Sequence, residues 1–375
     1  MTIDKPTCAV ARPYFSSGPC AKPPGWSPQK LDIAVMGRSH RSTLGKERLA
    51  HCIKLMRDTL SLPDTHRIAI VPASDTGAFE MAMWTMLGAR GITMLAWESF
   101  GEGWVTDVTK QLRLDPKILR APYGELPDLA AVDWADDVLF TWNGTTSGVV
   151  VPDGDWIADD RAGLSFVDAT SAVFAYDLPW DKIDVATFSW QKVLGGEGGH
   201  GVLILGPRAV ERLQSHTPAW PLPKIFRLMS KGVLGEGLFK GETINTPSML
   251  AVEDAIFALE WAGSLGGGAA LRQRTLANTA ALDAIVAARP WLSYLARDAA
   301  CRSITSICLN VEGADGGFIK RMAALLEAEG AAYDIAGYRD APAGLRIWCG
   351  ATVETADIMA LGPWLDWAYA SAKAA

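Results

Sequence analysis

The sequence predicts an α/β fold: a large domain with a mostly parallel sheet flanked by helices, followed by a smaller C-terminal α+β domain. Three observations carry this. Short apolar runs alternate with stretches of helical spacing from Gly45 to Gln214, the pattern of a layered α/β domain. A long helical region, Pro247–Ala288, is interrupted by three glycines at 266–268. Beyond it the chain reads strand, helix, strand, helix. With 375 residues the chain is long enough for two domains and a sizeable core.

Residues 1–45 are rich in Pro, Gly and Ser (SSGPCAKPPGWSP) and read as an irregular arm, of a kind often functional in a compact enzyme. Residues 46–265 form the predicted large domain. KERLAHCIKLMRDTL is a helix, RIAIV a strand, DTGAFEMAMWTML a helix and ITMLAW a strand. A helix is predicted from Gly103 to Leu112. KILRA, DDVLFTW, LSFVDA, VATFSW and GVLILG are strands, and PRAVERLQ is a helix. Residues 266–375 form the predicted small domain, with strands SITSICLNV and LRIWCG and helices FIKRMAALLEAEG and TADIMALGPWLDWAYASA. In such sheets ligands sit beyond the carboxyl ends of the strands, and Asn143, Asp168 and Lys192 fall there.

The totals remove several function classes. The net charge is −7, so no footprint for nucleic acid is visible. Six cysteines lack a C-x-x-C pair and five histidines form no H-E-x-x-H, which argues against a disulfide scaffold and against a metal site. No apolar run reaches the ~18 residues of a membrane span, and the N-terminus lacks a signal-peptide core. The expectation is a cytoplasmic protein.

The chemistry concentrates in FSWQKVLGGEGGHGVLILG, Phe188–Gly206. It contains G-x-G-x-x-G at Gly196, Gly198 and Gly201, but this precedes a strand, whereas a dinucleotide fingerprint follows one and opens a helix. No Walker A loop is present either, because the only Gly-Lys pair, Gly45–Lys46, lacks the upstream glycine. Taken alone, Lys192 reads as an exposed residue in a glycine turn. Asp168, at the end of LSFVDA, changes that reading. A strand-end aspartate, another strand and a lysine in a small-residue loop suit pyridoxal phosphate: the lysine holds the aldehyde and the aspartate keeps the pyridine nitrogen protonated. A phosphate cup is expected where a strand turns into a helix, at Ser74–Gly77. Asp75 is anionic, so it is expected to point away from the phosphate, leaving Thr76 to supply a hydroxyl. Trp104 is the candidate stacking partner for the ring, although with fifteen tryptophans any one is more often core.

FSSGP, GRSHRS, TWNGTTSG, VDATS, SWQK, INTP and YRDAPAGLRIW, in that order along the chain, resemble the phosphoserine aminotransferases, class V members of the fold-type I pyridoxal phosphate enzymes. The resemblance implies that Lys192 binds the cofactor covalently and serves as catalytic base. It implies that Asp168 pairs with the ring nitrogen, Trp104 stacks on the ring and Thr145 bonds the ring hydroxyl. Ser74, Thr76 and Gln191 would hold the phosphate. Asn245 and Thr246 would reach the cofactor phosphate of a neighbouring subunit, which makes the enzyme a homodimer with shared sites. His40, Arg41 and Arg339 would bind the substrate's phosphate end, and Arg346 its α-carboxylate. The implied reaction moves an amino group from L-glutamate to 3-phosphooxypyruvate, with a second phosphorylated substrate in pyridoxine synthesis. Two departures stand out: Ala-Ser-Asp-Thr replaces the glycine-rich cup, and Tyr338–Arg339 replaces a His-Arg pair at a spacing one residue longer.

The nearest rival is an alanine/serine–glyoxylate aminotransferase, whose substrates give Ser-His-Arg no phosphate to bind. A cysteine desulfurase would need a reactive cysteine on a loop, and Cys349 lies beside a strand. A pyridoxal-phosphate-binding protein without catalysis would leave the Lys, Asp and Arg set without a task.

Overall fold

The computed structural model describes residues 4–374; residues 1–3 of the predicted arm and residue 375 of the predicted small domain lie outside the described residues. Among its described residues the arm carries one 3-10 turn, Pro28–Lys30, before the first long helix begins at Thr43. Its backbone polar groups are satisfied by the rest of the chain instead. Tyr333 N donates to Pro13 O (2.8 Å), Trp348 N to Phe15 O (3.1 Å) and Cys20 N to Gln191 O (2.8 Å). Phe15 is fully buried.

Helix α1, Thr43–Leu60, starts at Ser42, whose Oγ accepts from Gly45 N. Strand β1 (Arg67–Pro72) turns directly into α2 (Ser74–Met86), and β2 (Ile92–Ala96) leads to α3 (Ser99–Thr106). The predicted helix at Gly103–Leu112 therefore begins earlier, at Ser99, because the Glu98 carboxylate caps it by accepting from Gly101 N (2.8 Å). It continues as a π-helical turn, Asp107–Gln111. Strands β3 (Lys117–Arg120) and β4 (Asp137–Thr141) follow, then a small hairpin of β5 (Asn143–Gly144) and β6 (Val149–Val150). Next come β7 (Ser165–Asp168), β8 (Val185–Ser189), β9 (His200–Leu205) and α4 (Pro207–Ser215). A second hairpin, β10 (Met229–Ser230) with β11 (Val233–Leu234), precedes α5 (Met249–Leu265) and α6 (Gly268–Ala287). The C-terminal part contains β12 (Leu292–Tyr294), β13 (Ser306–Val311), α7 (Gly316–Ala328), β14 (Leu345–Trp348) and α8 (Thr355–Ala374).

The main sheet has the order β1-β9-β8-β7-β4-β2-β3. Pairs from β3 through β8 are parallel, and only β9 runs against its neighbours β1 and β8. Every residue of β4, β7 and β8 is buried, which is why these strands read as unbroken apolar runs. The small sheet, β12-β13-β14, is antiparallel.

Buried ion pairs lock the amino ends of the central strands. Asp137, the first residue of β4, accepts from Arg212 on α4 through both oxygens (2.6 and 3.0 Å). Asp184, just before β8, binds Arg161 (3.2 Å) and Arg208 (2.8 Å) and also accepts from Ser165 N. Among the described residues no helix is long and apolar enough to cross a membrane.

Candidate active site

The carboxyl ends of β4, β7 and β8 open into a cavity of about 350 Å³, whose lining includes Ser74, Asp75, Thr76, Trp104, Thr145, Asp168, Gln191 and Lys192. Lys192 sits in the tight turn between β8 and β9, closed by Gly195 N to Lys192 O and Gly196 N to Trp190 O (both 2.9 Å). Gly195 has φ +62°, and a Cβ there would lie 2.0 Å from Ala21 O, so the turn and the arm can meet only at glycine. Lys192 Nζ donates to the arm carbonyl of Ser17 and stands 5.9 Å from the Trp348 ring centroid. Burial lowers the amine's pKa below the ordinary lysine value, and the nearby Arg346 charge acts in the same direction. Cys20, beside Lys192, is buried and its thiol pKa is pushed up to about 12.

Asp168 ends β7. It accepts from Trp104 Nε1 at Oδ2 (3.2 Å) and from Thr170 N at Oδ1 (3.0 Å). Trp104 packs against Phe79 with ring centroids 4.7 Å apart. The helix α2 starts from an uncommon backbone: Ala73 and Ser74 both have positive φ (70° and 60°). Two successive non-glycine residues there carry strain on the order of 1–3 kcal/mol each. Ala-Ser thus adopts a glycine-like turn, and Ser74, Asp75 and Thr76 at the start of α2 line the cavity. Ser74 Oγ donates to Ser189 Oγ (3.1 Å). Asp75 lines the cavity and its carboxyl lies beside that of Asp168, a contact the sequence reading did not anticipate. Its pKa is raised by burial and then by the Asp168 charge.

Several polar atoms around the cavity are buried without a hydrogen-bond partner among the described residues: Thr141 Oγ1, Asn143 Oδ1, Thr170 Oγ1 and Gln191 Oε1. Buried polar groups are normally paired, so these mark a place shaped for a polar guest. A lysine, an aspartate held by two N–H donors, an open helix N-terminus and free hydroxyl and amide oxygens form the donor set that pyridoxal phosphate needs. The residues fit that group. Arg346 on β14 has a buried Nε without a partner among the described residues, and its guanidinium lies 5.7 Å from the Tyr338 ring centroid.

Other expected site residues lie elsewhere. Asn245 and Thr246 line a neighbouring groove of about 470 Å³ with Ala73, Gly198 and His200. His40 and Arg41 precede α1 and do not line the cavity; Arg41 is exposed and its charge is felt at Glu242, near Asn245. Arg339 is 81 % exposed and pairs with Asp340 (3.4 Å), because it stands at the tip of a turn closed by Gly337 N to Gly344 O and Ala341 N to Tyr338 O.

Two acids escaped the sequence reading. Glu98 caps α3 and accepts from Thr146 Oγ1 (2.7 Å), which holds the turn that carries Thr145; burial raises its pKa. Asp254 on α5 accepts from Lys22 Nζ of the arm (3.0 Å) and from Glu197 N of the lysine turn (2.8 Å). The signals were a carboxylate at a strand end and a carboxylate inside an apolar helix run.

No family model matches the chain. It is 59 % identical to a phosphoserine aminotransferase of Methanosarcina barkeri over 97 % of this chain and 99 % of that protein. It is 58 % identical to a phosphoserine aminotransferase of Methanosarcina mazei over the same shares. Among solved structures it resembles a phosphoserine aminotransferase from Cytophaga hutchinsonii, with a TM-score of 0.83 at 22 % identity, covering 95 % of this chain and 98 % of that one.

Proposed function

The chain belongs to the phosphoserine aminotransferase family, and on that premise we propose that it moves the amino group of L-glutamate to 3-phosphooxypyruvate, giving 2-oxoglutarate and O-phospho-L-serine. Pyridoxal phosphate, when bound, supplies an aldehyde to take up the amino group and a conjugated ring to accept electrons as the substrate Cα–H bond breaks. Lys192 holds the cofactor and then moves the proton at Cα. Its lowered pKa leaves a larger neutral fraction to accept that proton. Asp168, fixed by Trp104 and Thr170, would pair with the ring nitrogen and keep it protonated. Ser74, Thr76, Gln191 and the α2 amides would hold the phosphate, Thr145 would bond the ring hydroxyl, and Trp104 would cover the ring face.

Arg346 binds the α-carboxylate common to both substrates, a task its planar fork suits. Arg339, exposed at the tip of its turn, would assist with the substrate phosphate. Asn245, Thr246, His40 and Arg41 lie outside the Lys192 cavity of their own chain. We read them as contributions to the cavity of a second copy, so the working enzyme is a homodimer with shared sites. A cytoplasmic location agrees with six free cysteines. A second phosphorylated keto acid, 3-hydroxy-2-oxo-4-phosphooxybutanoate, fits the same contacts and would extend the role to pyridoxine synthesis. We also read residues 1–45, 46–265 and 266–375 as arm, cofactor domain and small domain.

The observation that carries this reading is the meeting of one buried lysine, one doubly held aspartate and a free helix N-terminus in a single cavity. The test is steady-state kinetics with glutamate and 3-phosphooxypyruvate varied together. Parallel double-reciprocal lines are expected from two half-reactions on one site. Turnover with glyoxylate or pyruvate and none with the phosphorylated acid would replace this reading with the glyoxylate-type one.

A further inference from the structure

The cavity contains a second acid that amino transfer, as derived above, leaves without a task. Asp75 is the second residue of α2, only 7 % exposed, and its carboxyl lies against that of Asp168 with the hydroxyls of Thr170 and Thr187 beside it. Its Oδ1 is buried and closes no hydrogen bond among the described residues. The two acids are treated differently. Asp168 receives two N–H donors, whereas Asp75 receives no N–H, its Oδ1 closes no hydrogen bond among the described residues, and only the hydroxyls of Thr187 and Thr170 stand beside it. Two like charges in contact in a buried site resist being ionised together. An ionised Asp75 would also repel a phosphate arriving at the amides of its own helix turn.

We propose that Asp75 is a positioning residue for Asp168: it keeps its proton, donates it in a hydrogen bond to the Asp168 carboxylate, and leaves the α2 N-terminus free of negative charge for the cofactor phosphate. This rests on reading the cavity as the pyridoxal phosphate site. Burial and then the Asp168 charge favour the neutral acid, and the hydroxyls of Thr187 and Thr170, which act the other way, do not reverse the direction. The other charged groups lining the cavity do not reverse this. Glu98, ahead of α3, is itself pushed toward its neutral form by burial, Lys192, after β8, has its pKa lowered, and Glu197, in the lysine turn, pairs with Lys22 (2.6 Å). The Asp75–Asp168 pair therefore carries one negative charge, and Asp168 meets the ring nitrogen with its geometry set from three sides.

The test compares wild type, Asp75→Asn and Asp75→Ala by two readouts that do not require turnover. The first is the pH midpoint of the visible band of the bound cofactor. Asparagine keeps a neutral donor, so its midpoint stays with wild type; alanine moves it by about one pH unit. An alanine variant that titrates like wild type, or an asparagine variant that shifts like alanine, overturns the proposal. The second is the melting temperature of the apoprotein against pH. A folded acid with a raised pKa binds more protons than the unfolded one, so wild type loses stability as pH rises above ~4, whereas asparagine does not titrate. Asp75→Asn should therefore match wild type near that pH and gain on it steadily above. A constant gap, or a wild type that gains with pH, places a charge on Asp75 and overturns the proposal. If wild type binds no pyridoxal phosphate, the cofactor role is lost, while the melting curves still decide where the proton sits.

Discussion

The central strands start and finish in opposite chemical conditions. At the amino end, β4 opens on Asp137, fully buried and held bidentately by Arg212, and β8 follows Asp184, which binds two arginines and a backbone amide. At the carboxyl end of the same sheet, Thr141, Asn143, Thr170, Thr187 and Gln191 each keep a buried polar atom without a partner among the described residues. Two consecutive residues there are strained at positive φ, and a buried lysine has its pKa lowered. One end spends its polar groups on each other and stabilises the fold. The other holds them open, at a cost to stability, where a ligand can repay it. Substitutions at the two ends should therefore fail in different ways.

The largest effect is expected at Lys192. Lys192→Ala should lower turnover by more than about 10³-fold while the protein melts no lower than wild type. A related measurement sharpens the contrast. A lysine whose pKa falls on folding binds fewer protons folded than unfolded, so wild-type apoprotein gains stability as pH rises toward the ordinary lysine value. Lys192→Met apoprotein should be the more stable at neutral pH, and the gap should close as pH rises. This trend is opposite to that expected at Asp75.

Arg212→Ala should act in the reverse sense, leaving Asp137 buried and unpaired. It should cost about 3–5 kcal/mol in urea unfolding, with the cofactor spectrum of the folded fraction unchanged. Loss of less than ~1 kcal/mol would mean that the amino end is not the stabilising one. Next in size is Arg346→Ala, which should reduce kcat/KM about 10²-fold for glutamate and for the phosphorylated keto acid alike, because both present an α-carboxylate. A loss confined to one substrate would end the shared-clamp reading. The smallest effect belongs to Asp254→Asn, which weakens the tie between arm, α5 and lysine turn. About 1 kcal/mol of stability and a several-fold weaker grip on pyridoxal phosphate are expected, read by equilibrium dialysis.

What was legible in advance follows the range of the interactions. Lys192 and Asp168 could be read because strand ends and glycine turns are local features, and β7 and β8 carry them to one edge of a parallel sheet. The start of α3 was misplaced because its cap is a buried glutamate, an unusual choice that only the contact with Thr146 explains. Asp254 was invisible because its partners lie in the arm and in the lysine turn, far away in sequence. His40 and Arg41 show a different gap. Their motif resembles that of a substrate site, yet neither residue lines the Lys192 cavity of its own chain, which only the fold reveals. Charge alone says that Asp75 should avoid a phosphate at its own helix start; that it sits in the cavity beside Asp168 depends on the fold.

The most direct test of the account is a single-turnover absorbance experiment on wild type and Lys192→Ala. Each is loaded with pyridoxal phosphate, treated with glutamate and then given 3-phosphooxypyruvate. In wild type the visible band should disappear with glutamate and return with the phosphorylated keto acid, while Lys192→Ala should complete neither step at a measurable rate. A wild-type band that glutamate leaves unchanged, or a variant that cycles as fast as wild type, would contradict the claim that the open end of the sheet is an amino-transfer site centred on Lys192.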